Sequence, residues 1–208
     1  MNTTTNFRTA RMVQLALFIA IIVLMAFTPL GYINTMGLAI TLVGIPVIVG
    51  SIILGPVNGA ILGGVFGITS FIRCFGMDAF GVLILGINPV KTFLLCMIPR
   101  ILMGGLTGLL FEGLKKVDKK KNIAYAVASL SGSLFNTVFF MTLLIVFFYN
   151  TKEIQDIATN VFHTNNVFTF FIAVAGLNAI VEAIVCLIIG TAVAKALDVY
   201  TTKSMLKR

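Results

Sequence analysis

The segment MVQLALFIAIIVLMAFT, residues 12–28, decides how this chain folds. It contains no charged side chain, and a helix needs about 20 mostly apolar residues to cross a bilayer. We therefore predict a membrane-spanning helix at this position. Arg8 and Arg11 precede it as basic residues precede a signal peptide, but the run lacks a small-x-small cleavage pattern. We expect the segment to be retained as the first span.

Five more apolar segments follow, so the sequence predicts an all-α integral membrane protein with six transmembrane helices. Gly55 and Pro56 indicate a tight turn between the second and third of them. The predicted spans are residues 12–28, 38–54, 57–72, 89–114, 123–149 and 168–197, each approximate at its ends. We expect one membrane domain over residues 1–208.

The composition agrees with a membrane protein and argues against a soluble one. Hydrophobic residues make up 59% of the chain and charged residues 11%, with a mean hydropathy of +1.07, whereas soluble domains carry about 25% charged residues. The net charge of +8 comes from basic residues at the ends of apolar segments, which indicates topology and not a nucleic-acid partner. Two basic residues, Arg73 and Lys152, fall in the predicted outer loops.

Cytoplasmic loops of membrane proteins hold the excess of lysine and arginine, so both termini are expected in the cytoplasm. With that orientation the inner basic residues are Arg8, Arg11, Lys115, Lys116, Lys119, Lys120, Lys121, Lys195, Lys203, Lys207 and Arg208. The outer side then carries the longer connections, at about residues 29–37, 73–88 and 150–167. Such loops are compatible with a pocket that opens outward, although loops that merely connect helices would look the same.

No enzymatic or metal-binding motif is present. The chain lacks G-x-x-x-x-G-K-[ST], H-E-x-x-H and G-x-S-x-G, so we expect no enzyme activity and no cofactor, and any ATP hydrolysis must occur in another subunit. Cys74, Cys96 and Cys186 are scattered, and we expect them only to pack in the interior. His163, the single histidine, is expected in a solvated outer loop.

Small residues recur at helical spacing in two spans. Ala16 and Ala20 lie on one face of the first span and would let another helix approach closely. In and before the third span, a glycine series predicts a smooth face for close helix contact or for sliding. The series consists of Gly55, Gly59, Gly63, Gly64 and Gly67.

Ionisable and amide side chains within spans indicate a polar interior, because a charge near the bilayer centre costs several kcal/mol unless it is paired or wetted. Arg100 follows Pro99, so its guanidinium could meet freed backbone carbonyls, a substrate carboxylate or Glu182. Asn178 lies one turn before Glu182, and with Asn136 it could complete one polar wall. A purely structural pair of Arg100 and Glu182 is the competing interpretation.

Asn88 and Lys91 lie where the predicted outer connection enters the fourth span. From there a side chain could reach into the mouth of a cavity. Lys91 could equally extend to the membrane interface without any functional role.

Several stretches, in this order and spacing, resemble the S components of energy-coupling factor (ECF) transporters. They are Ala16-x-x-x-Ala20, GIPVIVG at 44–50 with Leu54–Pro56, IPRILMG at 98–104, Asn136-Thr137 and Asn178 to Glu182. The resemblance implies a vitamin-binding subunit of the bacterial plasma membrane with an outward pocket capped by loops. It also implies three partner subunits, namely a transmembrane scaffold and two ATP-binding subunits, with docking through Ala16 and Ala20.

The stretches GIPVIVG at 44–50 and GITSFI at 67–72 resemble the pantothenate branch of the family most. Pantothenate offers one carboxylate, one amide and two hydroxyls. As a hypothesis, Arg100 or Arg73 would bind the carboxylate, and Glu182 would orient Arg100 or accept a hydroxyl hydrogen bond. The amide and hydroxyls would be bound by Asn88, Asn136 and Asn178.

Three other interpretations stay open at the level of the sequence. The ligand could be another vitamin, such as folate or a pyridoxine-like or hydroxymethylpyrimidine-like compound. The chain could instead be a self-sufficient secondary transporter coupled to an ion through Glu182 or Lys91. It could also be a structural membrane subunit whose polar residues only hold helices together.

Overall fold

A computed structural model describes residues 3–34, 39–118, 122–161 and 166–206. This part of the chain is a helical bundle with one short antiparallel hairpin. The helices are α1 (Thr3–Ala26), α2 (Gly44–Leu54), α3 (Pro56–Arg73), α4 (Ala79–Ile87), α5 (Pro89–Leu114), α6 (Asn122–Phe148), α7 (Lys152–Asp156), α8 (Val167–Val185) and α9 (Thr191–Leu206). Strands β1 (Tyr32–Asn34) and β2 (Ala39–Thr41) form the hairpin, and π-helical turns cover Ile157–Val161 and Cys186–Gly190.

Within the described residues, four helical stretches are long and apolar enough to cross a membrane. They are Arg8–Ala26, Pro89–Leu114, Asn122–Phe148 and Asn178–Tyr200. Helix α2 is apolar but has only 11 residues. The protein is therefore predominantly helical and membrane-compatible, while the number of spans stays a prediction. His163, Lys119, Lys120, Lys121, Lys207 and Arg208 lie outside the described residues.

Two predicted boundaries differ from the structure. The second span was expected from about residue 38, but β2 occupies Ala39–Thr41 and α2 begins only at Gly44. The predicted connection at 73–88 contains helix α4, which begins where the Asp78 carboxylate accepts a hydrogen bond from the Gly81 amide at 3.0 Å. A continuous apolar run does not distinguish strand from helix, and this hid β2. Helix α4 has only nine residues, too few to cross a membrane, so its sequence reads as part of a connection.

The Gly55–Pro56 turn forms as predicted. Gly55 adopts φ +89°, which a side chain would disfavour, and Pro56 is the first residue of α3, where its missing N–H costs nothing. Helix α3 therefore runs back antiparallel to α2.

The glycine series on α3 packs directly against α5. A Cβ atom at Gly63 would overlap the Arg100 carbonyl oxygen, and one at Gly59 would lie 2.5 Å from the Gly104 carbonyl oxygen. Across the interface, a Cβ at Gly108 would lie 2.6 Å from Pro56 Cα. The two backbones thus meet without intervening side chains, as small residues permit in membrane helices. This packing fixes the part of α5 that carries Arg100.

Two hydrophobic clusters fill the interior of the described bundle. One surrounds Phe66 and Met103, and the other surrounds Leu95 and Phe148. By contrast, α1 exposes a broad apolar face that includes Ala16 and Ala20 together with larger side chains. The larger exposed side chains are Met12, Val13, Leu17, Ile21 and Leu24.

Candidate functional site

The described residues enclose a polar cavity of about 100 Å³ between the hairpin and the ends of several helices. Its lining comes from helices α3, α5, α6 and α8 and from two shorter elements, the hairpin and α4, which we call the cover. The lining residues are Tyr32, Thr41, Ser70, Arg73, Cys74, Asp78, Phe80, Gly81, Ile84, Cys96, Arg100, Asn136, Thr137, Phe140, Met141, Asn178, Ala179 and Glu182.

Arg100 enters the cavity because Pro99 interrupts the hydrogen bonding of α5. Proline has no N–H, so the carbonyl of Leu95, four residues earlier, loses its helical donor. The Arg100 guanidinium replaces that donor, with Nη1 donating to the Leu95 oxygen at 2.9 Å. Its carbon also lies 4.6 Å from the centre of the Phe140 ring, a cation–π contact. One end of the guanidinium is thereby held in place.

A second nitrogen of the Arg100 guanidinium is unsatisfied. Its Nε is buried and has no hydrogen-bond partner within the described part of the chain. A buried donor on a charged group is costly to leave unpaired. Arg100 and Glu182 both line the cavity, but no ion pair joins them among the described residues. The structural Arg100–Glu182 pair considered from the sequence is therefore not observed.

Arg73 also lines the cavity, but unlike Arg100 it connects neighbouring segments of the chain. Its Nη1 donates to the Ala26 carbonyl at 2.7 Å, at the end of α1, and its guanidinium carbon lies 3.8 Å from the centre of the Tyr32 ring. Arg73 thus joins three segments, namely α1, β1 and α3. Burial raises the pKa of Tyr32 to about 12, although the nearby Arg100 and Arg73 act to lower it. The Tyr32 phenol therefore stays neutral at physiological pH.

Glu182 holds the hairpin over the cavity. Its Oε1 accepts a hydrogen bond from the Thr41 amide at 2.6 Å and a second one from the Thr41 hydroxyl. Thr41 is the last residue of β2, and Glu182 lies on α8, so the contact joins segments that are 141 residues apart. Glu182 is 7% exposed, so water contributes little to this contact.

The amides predicted for the site divide into two groups. Asn136 and Asn178 line the cavity, and Asn136 Oδ1 is buried without a hydrogen-bond partner among the described atoms. The described lining does not include Asn88. Its Oδ1 instead accepts a hydrogen bond from the Lys91 amide at 3.0 Å, so Asn88 is the N-cap of α5. Lys91 is exposed, and its Nζ donates to the Phe147 carbonyl at 3.3 Å.

Five of the six residues predicted to bind substrate thus meet at one cavity, and sequence reasoning missed several of its other residues. Thr41 lies within a predicted span, Tyr32 lies within a predicted connection, and Asp78 and Phe80 belong to the unpredicted α4 region. The aspartate before an apolar run is a helix N-cap signal that could have revealed α4. No comparable signal marks Phe140, because its role depends on the arginine that faces it.

Apolar helices around a small charged cavity define a membrane protein with an internal polar site. A family model described as "ECF transporter, substrate-specific component" matches residues 10–194. The chain is also similar to the pantothenic acid transporter PanT of Lactococcus lactis subsp. cremoris (strain MG1363). The two are 32% identical over 185 residues, which cover 82% of this chain and 91% of that protein.

This chain belongs to the family of substrate-specific components of ECF transporters. The resemblance seen in the sequence is therefore confirmed. The protein is a component of a membrane transport system, and its part in that system is to bind substrate and not to catalyse a reaction.

Proposed function

We propose that this chain captures pantothenate at the outer face of a bacterial plasma membrane. The observation that carries the proposal is a complementary pair of unsatisfied groups in the cavity wall. Arg100 Nε is a buried donor and Asn136 Oδ1 a buried acceptor, and neither has a protein partner within the described residues. A ligand with both a carboxylate and N–H or O–H donors would satisfy both. The similarity to a pantothenic acid transporter supports this ligand.

In the proposed complex, the carboxylate of pantothenate binds the free side of Arg100. Arg73 is the weaker candidate because the Ala26 carbonyl and the Tyr32 ring already engage it. Asn136 accepts a hydrogen bond from a ligand hydroxyl or amide, and Asn178 supplies a further amide. Apolar lining residues such as Phe140 and Met141 contact the methyl groups of the bound pantothenate. Such sites commonly combine apolar walls with a few placed polar groups.

The cavity must enlarge to admit a vitamin. Its volume of about 100 Å³ is below the roughly 300–1,000 Å³ of small-molecule sites. The hairpin is the smallest element of the cover, because it consists of two three-residue strands. Thr41 attaches it to Glu182 on α8. We propose that the hairpin lifts for entry and returns when ligand binds, so that the loops cap an outward-facing pocket.

The proposed topology has six spans in one membrane domain over residues 1–208, with both termini in the cytoplasm. The basic residues support it, since the alternative orientation would place the lysine-rich side outside. With this orientation the cavity lies near the outer surface. A cysteine-accessibility map of single substitutions at Lys115 and Lys152 would test it, with labelling of intact cells expected only at residue 152.

We further propose that Ala16 and Ala20 contact the transmembrane scaffold subunit, which acts with two ATP-binding subunits. Both alanines are exposed on the apolar face of α1. Replacing Ala20 with tryptophan should abolish uptake by the assembled transporter and leave pantothenate binding by the isolated chain intact. Loss of binding as well would indicate misfolding, whereas unimpaired uptake would contradict a docking role.

The ligand proposal is tested by measuring pantothenate affinity of purified Arg100→Ala, Asn136→Ala and Asn178→Ala. Removing a buried partner of a charged group costs about 2–5 kcal/mol, so Arg100→Ala should weaken binding by at least about thirtyfold. Lys91→Ala is the matched control, because Lys91 is exposed outside the cavity. Unchanged affinity in Arg100→Ala would overturn the site. A panel with folate and pyridoxine tests the ligand itself, and preferential binding of either would overturn pantothenate.

A further inference from the structure

Two of the three cysteines form a thiol pair in the wall of the cavity. Cys74 follows directly after α3 and Cys96 lies within α5, 22 residues later. Their Sγ atoms are 3.9 Å apart, and both side chains are buried, at 4% and 3% exposure. Both also line the cavity, whereas the described lining does not include Cys186.

The spacing is close to that needed for a bond between the two sulfurs. A disulfide has an S–S distance of about 2.05 Å, so closure requires the sulfurs to approach by about 2 Å. Side-chain rotation at Cys74 can supply part of this movement, because Cys74 lies just beyond the last residue of α3 and not inside the helix. Its Sγ lies within hydrogen-bond distance of the Ser70 carbonyl, at 3.4 Å, and of Cys96 Sγ, so both neighbours are weak partners that a thiol can give up.

We propose that Cys74 and Cys96 are a reversible oxidation site, at which a small hydroperoxide entering the cavity converts the two thiols to a disulfide. One sulfur attacks a peroxide oxygen, the O–O bond breaks, and the alcohol or water leaves while a sulfenic acid forms. The second sulfur attacks the sulfenic sulfur, the S–O bond breaks, and water leaves. The hydroperoxide gains the two electrons that the thiols lose, and an added dithiol reverses the reaction.

The disulfide would change the cavity at its most charged part. Cys74 adjoins Arg73, and Cys96 lies one helical turn before Arg100, so the bond ties together the two segments that carry these arginines. Helix α4 packs on the same thiol, since a Cβ at Gly81 would lie 2.8 Å from Cys74 Sγ. Oxidation is therefore expected to move the segment around Cys74, together with the α4 helix that packs on it, toward α5. The expected loss of pantothenate affinity, about tenfold or more, rests on the proposed function.

The test uses the full-length purified protein, reduced and then treated with hydrogen peroxide. Peptide mass spectrometry should find a Cys74–Cys96 disulfide that dithiothreitol removes. Cys186→Ser should form it equally well, while Cys74→Ser and Cys96→Ser should not. Pantothenate affinity, measured on the same samples before and after oxidation, should fall on oxidation of wild type and Cys186→Ser. In Cys74→Ser, whatever its affinity in the reduced state, oxidation should not cause this fall.

Absence of a Cys74–Cys96 disulfide in the treated wild type overturns the inference, as does the same yield for pairs that include Cys186. Unchanged pantothenate affinity in fully oxidised protein overturns the claim that the disulfide alters the binding site. A reduced protein that does not bind pantothenate contradicts the proposed function instead. The disulfide map then still decides whether the oxidation site exists, because it needs no ligand.

Discussion

The interface between α3 and α5 and the contact between the hairpin and α8 border the same cavity but are built in opposite ways. At the first, glycines bring two backbones together over several turns, and added Cβ atoms at Gly59, Gly63 and Gly104 would meet backbone atoms of the other helix. At the second, Glu182 receives two hydrogen bonds from Thr41. The first region cannot move without unpacking a helix, whereas the second opens by breaking two hydrogen bonds and the contact of the Tyr32 ring with Arg73.

Because the two regions differ in rigidity, we infer that they have different functions. The α3–α5 interface holds Arg100 and Arg73 at fixed positions, which lowers the cost of ordering them when a ligand binds. Two hydrogen bonds are worth about 1–3 kcal/mol net, an energy that a bound vitamin can supply or replace. The rigid wall thus recognises the ligand, and the cover controls access to it.

The largest effect is expected from breaking the rigid wall with Gly63→Leu. A Cβ at Gly63 would overlap the Arg100 carbonyl oxygen, and neither backbone can move aside alone. We expect destabilisation by about 3 kcal/mol or more, in line with severe overpacking. The measurement is the thermal denaturation midpoint and the yield of monodisperse protein in detergent.

The neighbouring residue supplies the control for that experiment. A Cβ at Gly64 would meet only Ile101 Cγ1, at 3.9 Å, which is ordinary van der Waals contact. Gly64→Ala should therefore keep wild-type stability and pantothenate affinity. Equal behaviour of Gly63→Leu and Gly64→Ala would show that the α3–α5 interface is less rigid than its packing indicates.

The cover is tested next with Glu182→Ala, which leaves both donors of Thr41 without their acceptor. Loss of about 1–3 kcal/mol should raise the pantothenate dissociation rate by about five- to 150-fold. It should also lower the thermal denaturation midpoint by about 2–4 °C for each kcal/mol lost. Thr41→Val removes only the hydroxyl and should give the smaller part of the effect, and Thr41→Ser should restore it. Stopped-flow or surface-binding kinetics provide the rates. A slower dissociation in Glu182→Ala would contradict the role of this contact in closure.

A smaller effect on pantothenate affinity is expected from a substitution that changes the position of the Arg100 guanidinium. Pro99→Ala restores a backbone N–H that can bond to the Leu95 carbonyl, in competition with Arg100 Nη1. The guanidinium should then lose its fixed position, and pantothenate affinity should fall about three- to tenfold, which corresponds to roughly one hydrogen bond. Thermal stability should stay the same or rise. Binding calorimetry and a melting curve on one sample would show whether affinity and stability separate in this way.

The sequence predicted most of the rigid region and little of the cover. Glycines near every fourth residue from Gly55 to Gly67 indicated close helix contact, and Pro99 beside Arg100 indicated freed carbonyls for the guanidinium. Both signals are local in the chain. The contact between Thr41 and Glu182 depends on tertiary packing across 141 residues, and the apolar run around Thr41 looked like the start of a helix. Long-range pairing leaves no periodic pattern, so it could not be predicted.

Asn88 is a single residue whose contact the sequence did not predict. Its substitution is expected to have the smallest effect. Its position before α5 suggested the cavity mouth, yet its Oδ1 caps the helix through the Lys91 amide. Asn88→Ala should cost about 1 kcal/mol of stability through the lost cap and leave pantothenate affinity unchanged. Asn88→Asp, which can still cap, should be as stable as wild type in a melting curve. A loss of affinity in both variants at unchanged stability would instead assign Asn88 to the binding wall, and the rigid region would then reach to the rim of the cavity.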